Sequence, residues 1–219
     1  MADGPGGRTL PSGGDMPDDG IAADAAARGL TVLGEASADG ATVVLLGPDP
    51  ARFWDILRRS PEWNDPDPVD AWSRRQVAAL AAAWGGTPRF PFGEPPEPFM
   101  RWALGSGRCH SSPVGMLVHD AQGLMVSFRG AVERPLPSDG PVPTPSPCAS
   151  CDAQPCRTAC PVGALTAGGY DVPACRAYVA SEAGRDCRMR GCRVRRACPV
   201  SPPRPDAQSA HHMEAFLCE

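Results

Sequence analysis

The chain has 219 residues, of which 42% are hydrophobic and 21% are charged, and its formal net charge is -4. This composition is typical of a globular protein and excludes disorder throughout the chain. No apolar run approaches the roughly 20 residues of a membrane helix, and the N-terminal segment lacks the basic start and apolar stretch of a signal peptide. We therefore expect a cytoplasmic protein without a membrane span.

The first part of the chain begins with a polar tail and continues with a helix and two strands. Residues 1–16 are mostly Gly, Asp, Pro and Ser, which predicts a disordered tail. An Ala-rich helix is predicted over residues 17–28. Two strands are predicted over 30–33 and 41–46, with Asp39 and Gly40 in the turn between them.

Three more helices and a hairpin follow. Apolar residues at helical spacing predict helices over 50–59 and 69–84, and a short helix is predicted over 99–104. Residues 114–119 and 124–132 form the clearest hairpin pattern in the chain, joined by a turn that ends at a glycine.

The chain divides into two domains at a proline-rich segment. The elements above predict an α/β domain over residues 17–134. Six of the thirteen residues in 135–147 are proline, which predicts an extended, stiff linker. The remainder, 148–219, contains few large apolar residues, so its core must depend on something other than side-chain packing.

Eight of the ten cysteines are concentrated in the second domain, between Cys148 and Cys198. In a secreted protein such a density would indicate disulfides, but the expected reducing compartment favours metal ligation or redox chemistry. The first four cysteines are Cys148, Cys151, Cys156 and Cys160, and Pro161 follows the last of them. In two-cluster iron–sulfur proteins, the cysteine before the proline ligates the other cluster.

The remaining cysteines complete two sets of four. They are Cys175, Cys187, Cys192 and Cys198, and the last is again followed by a proline, Pro199. If Cys198 crosses over as Cys160 does, the first [4Fe-4S] cluster is held by Cys148, Cys151, Cys156 and Cys198. The second cluster is then held by Cys160, Cys175, Cys187 and Cys192. Two structural zinc sites would also use eight cysteines, and this alternative stays open.

A run of arginines accompanies the second set of cysteines. Residues 185–196 contain six arginines and one acid, Asp186. These charges could bind an acidic redox partner or a nucleic acid, or they could compensate the negative charge of thiolate-bound clusters. Residues 148–219 hold nine Arg and seven Asp or Glu, a balance too small to favour nucleic acid.

The remaining cysteines and two pairs of neighbouring residues with histidine are not predicted to be catalytic or metal-binding. Cys109 and His110 are adjacent, but no second histidine or acid stands at a defined spacing, so we predict an incidental loop cysteine. Cys218 is predicted to be a free thiol. His211 and His212 are predicted to face solvent or to contact the cluster domain.

With these segments in order, the chain resembles the cobalamin-dependent, iron–sulfur epoxyqueuosine reductase family, and more loosely the bacterial two-cluster ferredoxins. The resemblance covers the first helix and strand, the segment from Val114 to Gly130, and most specifically Cys148 to Pro199. In the family a lone cysteine before a Tyr-containing helix joins the second cluster, and Cys175 followed by Tyr178 matches that pattern.

This chain also departs from the family. Four residues separate Cys151 from Cys156 where the family usually has two, and Cys187 takes the place of a cysteine absent from 193–197. The chain ends without the helical-repeat extension that helps the family hold transfer RNA, so transfer RNA is not the expected substrate. The segment matching the catalytic aspartate offers only Glu94 and Glu97, and no catalytic residue is carried over.

Together these features predict an α+β protein with an N-terminal α/β domain and a small C-terminal ferredoxin-like domain holding two [4Fe-4S] clusters. The expected function is electron transfer between redox donor and acceptor proteins, or to a small-molecule acceptor. The alternative is a reductase in which the N-terminal domain binds a corrinoid that the clusters reduce. A third reading is a zinc-stapled interaction module.

Overall fold

The computed structural model describes residues 18–137 and 143–218. The predicted tail and the middle of the predicted linker lie outside these residues. The helices are α1 (Asp18–Ala27), α2 (Phe53–Arg58), α3 (Pro68–Trp84), α4 (Phe99–Gly105), α5 (Val172–Ala180), α6 (Arg185–Arg190), α7 (Arg193–Ala197) and α8 (Asp206–Cys218). The strands are β1 (Leu30–Ala38), β2 (Ala41–Pro48), β3 (Thr87–Arg89), β4 (Cys109–Ser111), β5 (Leu117–His119), β6 (Gly130–Arg134), β7 (Leu165–Thr166) and β8 (Gly169–Tyr170).

An antiparallel four-stranded sheet organises the first part of the chain, in the order β1-β2-β6-β3. The protein is thus of the predicted α+β class. The hairpin of β1 and β2 turns at Asp39 and Gly40, whose φ angles are 48° and 82°. A two-residue turn with both φ angles positive matches the twist of the strands it joins, and Asp-Gly is a favoured sequence there. The turn therefore sets the pairing of β1 with β2 from local sequence.

Both faces of this sheet are buried. Side chains alternate between the two faces of a strand, so Val44 and Leu46 of β2 point to one core and Val43 and Leu45 to the other. Helices α1, α2 and α3 cover the first face, with Trp72, Val77 and Leu80 among the fully buried side chains. Helix α4 covers the second face through Phe99, Trp102 and Ala103. The sheet is the central layer of this part of the molecule.

The predicted hairpin of residues 114–119 and 124–132 is wrong. Only its turn forms: the amide N–H of His119 donates to the Gly123 carbonyl, and that of Gly123 donates to the His119 carbonyl, at 3.0 and 2.9 Å. Strand β5 pairs with β4 instead, and β6 inserts between β2 and β3. Ala131 and Val132 of β6 point to opposite cores, and both are buried because helices cover the two faces of the sheet.

The described ends of the proline-rich segment lie against the first part of the chain. The Thr42 hydroxyl donates to the Leu136 carbonyl at 2.8 Å. Beyond residues 138–142, the Thr144 amide donates to the Gly107 carbonyl at 2.9 Å. The described parts of this segment are therefore attached to residues of the N-terminal part.

The cysteine-rich part consists of short elements. Helices α6 and α7 have six and five residues, and β7 and β8 form a separate two-residue pair. Its buried apolar side chains fall into two small clusters, one around Val194 and Leu165 and one around Val179 and Met213. Cysteine side chains belong to both clusters. No helix among the described residues has the length and apolar character needed to cross a bilayer.

Candidate metal-binding site

The first of two cysteine-lined cavities has a volume of about 320 Å³. Four thiols line it: Cys148, Cys151, Cys156 and Cys198. Cys148 and Cys156 lie in two successive 3-10 turns, Pro147–Ser150 and Pro155–Arg157, each begun by a proline, and Cys151 directly follows the first turn. Proline suits the first turn of a helix because its ring fixes φ and its missing N–H needs no partner there. Cys198 reaches the same cavity from the C-terminal end of α7.

The second cavity is smaller, about 30 Å³, and lies among the helices of the cysteine-rich part. Its four thiols are those of Cys160, Cys175, Cys187 and Cys192. Cys160 is in the loop before β7, Cys175 lies on α5, Cys187 on α6, and Cys192 immediately precedes α7. The structure thus brings together the same two sets of four cysteines that the sequence predicts for two clusters.

Polar groups near the second cavity favour the charged form of three of its thiols. The Ala164 amide donates to Cys160 Sγ at 3.2 Å. The Tyr170 hydroxyl acts to lower the pKa of the Cys175 thiol, and the Arg193 backbone N–H acts to lower that of Cys187, in each case against the larger effect of burial. Donors to sulfur favour the thiolate form, which is the form that binds metal.

Burial and mutual repulsion oppose that form when no cation is present. Burial raises the pKa of Cys148, and the neighbouring Cys156, Cys198 and Cys151 raise it further. Burial likewise raises the pKa of Cys175, and Cys192 and Cys160 add to the shift. The thiols that raise the pKa of Cys148 and of Cys175 thus belong to the same set as the cysteine they act on. Four thiolates can share either cavity only with positive charge among them.

A close backbone approach positions Cys187. Gly184 precedes α6, and a Cβ atom on it would lie 1.8 Å from the carbonyl oxygen of Tyr178 near the end of α5. Only glycine allows the two helices to approach this closely. This contact fixes α6, and with it Cys187, against the helix that carries Cys175.

The first cavity also depends on residues that the sequence analysis did not assign to it. Val118 and Leu124 line it from the N-terminal part. The Leu124 amide donates to Ser201 Oγ at 3.0 Å, and a Cβ on Gly123 would lie 2.6 Å from the Ser201 amide nitrogen. The glycine of the 120–123 turn was the available signal, because a close approach of two backbones needs a residue without a side chain.

The other cysteines and histidines singled out in the sequence lie outside the two cavities. Cys109 is not in a loop but in β4, 2% exposed, and burial raises its thiol pKa to about 12. Cys218 is exposed at the end of α8. His211 contacts the N-terminal part, with its ring centroid 5.6 Å from Trp54 and 5.5 Å from Trp63.

Part of the arginine run is paired within the cysteine-rich part. Asp186 forms ion pairs with Arg190, Arg193 and Arg196. Arg188 donates to the carbonyl oxygens of Val179 and Ser181. These arginines stabilise the arrangement of α5, α6 and α7 around the second cavity.

Within residues 18–137 and 143–218, no group of three or more His, Cys, Asp and Glu side chains has the spacing to hold a single metal ion. No family model, no curated protein and no solved structure matches the chain.

Proposed function

We propose that this protein transfers electrons through two [4Fe-4S] clusters, one held in each cysteine-lined cavity. The proposal depends on one observation: eight cysteines line two cavities, four in each. Cys156 and Cys160 line different cavities although only three residues separate them. A crossover of this kind is typical of proteins with two clusters.

The donor set fits this cofactor. Four cysteines line each cavity, and thiolates are the ligands of iron–sulfur clusters. Asp152 also lines the first cavity and Met213 the second. Zinc also accepts four thiolates, at about 2.3 Å from each sulfur. The volume of about 320 Å³ in the first cavity suits a multi-atom cluster better than one ion. The second cavity, at about 30 Å³, gives no such argument from size, and it is assigned by its equivalent set of four cysteines and by the Ala164 N–H that donates to Cys160 Sγ.

The chain's own residues would hold the two groups close together. Cys192 and Cys198 bracket α7 and belong to different cavities. Six residues of helix correspond to roughly 9 Å, so the two ligand positions are near each other. When bound, such clusters accept and release one electron at a time. The apolar side chains of Val118, Leu124 and Val194 are buried together in one cluster beside the cysteines of the two cavities.

The partners of this reaction are a redox donor and an acceptor, either proteins or a small molecule. The resemblance to the epoxyqueuosine reductase family agrees with clusters that supply electrons to a reductive reaction. The corrinoid on the N-terminal domain stays a prediction.

Metal analysis of the full chain, purified without oxygen, tests the proposal. We expect iron and acid-labile sulfide in equal amounts, a brown colour and no stoichiometric zinc. A colourless protein with zinc as its metal would instead establish the zinc-stapled module.

Paired cysteine substitutions test which thiols share a cluster. Cys156→Ala should remove about half of the iron, because one of two clusters loses a ligand. The double variant Cys156→Ala/Cys198→Ala should lose no more iron than the single variant, although 41 residues lie between these positions. Cys156→Ala/Cys160→Ala should lose nearly all of it.

The matched control is Cys218→Ala, which removes an exposed thiol that lines neither cavity. It should keep full iron content and an unchanged low-temperature EPR spectrum. The assignment is overturned if the two double variants show the reverse order of iron loss, because that order would mean that each run of four cysteines holds its own cluster.

A further inference from the structure

The N-terminal part contributes a polar side chain to the first cysteine-lined cavity. Ser112, directly after β4, lines this cavity together with Pro113, Val118 and Leu124. These four residues precede Cys148, the first cysteine of the cavity, by more than 20 residues in the sequence. The N-terminal part therefore forms one wall of the cavity, and among the described residues of that wall Ser112 alone has a polar side chain.

The Ser112 hydroxyl is a buried group without a hydrogen-bond partner. The residue is 8% exposed, and its Oγ atom forms no hydrogen bond within the part of the chain that the structure describes. Both backbone groups of Ser112 are used: its amide donates to the Met116 carbonyl at 2.9 Å, and its carbonyl accepts from the Gly115 amide at 3.1 Å. A buried hydroxyl without a partner is unfavourable, so its presence in a folded protein calls for an acceptor.

Other polar side chains that line the cavity, apart from its cysteines, are hydrated or already bonded. Ser150 and Asp152 are exposed to solvent. The side-chain oxygen of Gln154 accepts a hydrogen bond from the guanidinium of Arg157. Ser112 differs from these residues because its hydroxyl has neither water nor a protein acceptor, and it therefore gains most from an acceptor placed inside the cavity.

A [4Fe-4S] cluster in this cavity supplies such an acceptor. The inorganic and cysteine sulfur atoms of a cluster accept hydrogen bonds, and the reduction potential depends on these bonds. Ser112 and the four cysteines of the first set line the same cavity. Rotation about the single χ1 bond sets the direction of a serine hydroxyl, so no movement of the backbone is needed to turn Oγ of Ser112 toward sulfur.

We propose that the Ser112 hydroxyl donates a hydrogen bond to a sulfur atom of the first cluster and raises the reduction potential of that cluster. The inference rests on the proposed function and adds to it a residue of the N-terminal part that tunes one of the two clusters. Hydrogen bonds strengthen with the negative charge of the acceptor, so the donor stabilises the reduced form more than the oxidised form. The alternative role of Ser112 is packing alone, and removal of its hydroxyl would then change neither potential.

A redox titration of the full chain, purified without oxygen and followed by low-temperature EPR, tests this inference. In Ser112→Ala one of the two midpoint potentials should fall. At a fixed solution potential, the ratio of reduced to oxidised first cluster should decrease by about three- to tenfold, and a tenfold change corresponds to about 59 mV for a one-electron couple. The other midpoint potential should stay the same, because Ser112 does not line the second cavity.

The matched control is Ser111→Ala, which removes the same hydroxyl from the neighbouring residue, an exposed serine that lines neither cavity. It should leave both potentials unchanged. The inference is overturned if Ser112→Ala leaves both potentials unchanged, if it loses iron, or if Ser111→Ala shifts a potential equally. Iron content distinguishes this failure from that of the proposed function: wild-type protein without iron rejects the clusters themselves, whereas full iron with unaltered potentials rejects only the role of Ser112.

Discussion

The two parts of the molecule are stabilised in different ways. Residues 18–137 bury two apolar clusters, one on each face of the β1-β2-β6-β3 sheet. Residues 143–218 bury few large apolar side chains and are built mainly from helices of five to thirteen residues, too short to be stable alone. What the second part has instead is eight cysteines around two cavities. Metal binding there would contribute directly to folding.

Removing the metal should produce the largest difference between the two parts. If the proposed function is correct, chelation of iron without oxygen removes the clusters that link the cysteines of α5, α6 and the residues beside α7. These three helices should then lose protection of their amides from hydrogen exchange. Strand β2 and helix α3 should keep theirs, because their cores contain no cysteine of either set. Hydrogen exchange followed by mass spectrometry measures both in one sample. Equal protection of α5–α7 before and after chelation would contradict the comparison.

A substitution in the apolar core of the N-terminal part should lower the stability of that part and leave metal binding unchanged. Leu80 of α3 is 0% exposed among Trp72, Val77 and Val132, so Leu80→Ala should lower the free energy of unfolding by about 2–5 kcal/mol. Iron content should stay unchanged in the folded protein.

Denaturant unfolding followed by tryptophan fluorescence measures this effect. Leu104→Ala is the control, because Leu104 is 45% exposed and its truncation should change stability by less than about 0.5 kcal/mol. Loss of iron from folded Leu80→Ala would show that the two parts are not independently stabilised.

The smallest expected effect on stability comes from an acid-sensitive ion pair in the N-terminal part. Glu62 pairs with Arg75, and this hydrogen bond lowers the pKa of Glu62 from 4.5 to about 2. The pair therefore stabilises the folded state above pH 4.5, and this stabilisation is lost as the pH falls toward 2. Because the Arg75 side chain is 48% exposed, Glu62→Gln should destabilise by less than about 1 kcal/mol at neutral pH.

Urea midpoints of the wild type and of Glu62→Gln, compared at each pH, measure this contribution. The difference between the two proteins should be constant near neutral pH and should shrink in acid. Glu94→Gln, at an exposed position, should show no such pH-dependent difference. A difference that grows in acid would mean that Glu62 is protonated more readily in the folded state.

The sequence by itself determined the features that depend on neighbouring residues. The Asp39–Gly40 turn sets the β1–β2 hairpin, and Gly85, with φ 66°, ends α3 where the helical pattern stops. The spacing of the cysteines and the two Cys-Pro pairs were sufficient to divide eight thiols into the two sets that line separate cavities.

Only the tertiary structure decided the features that join distant segments. Strand β6 leaves its expected hairpin and pairs with β2 and β3, where Ala131 and Val132 are buried in the cores on the two faces of the sheet. Val118 and Leu124 line the first cysteine cavity, although the cysteines follow them by more than 20 residues in the sequence. Local patterns specify turns and periodicity, whereas burial and charge are shared between segments that meet only when the chain is folded.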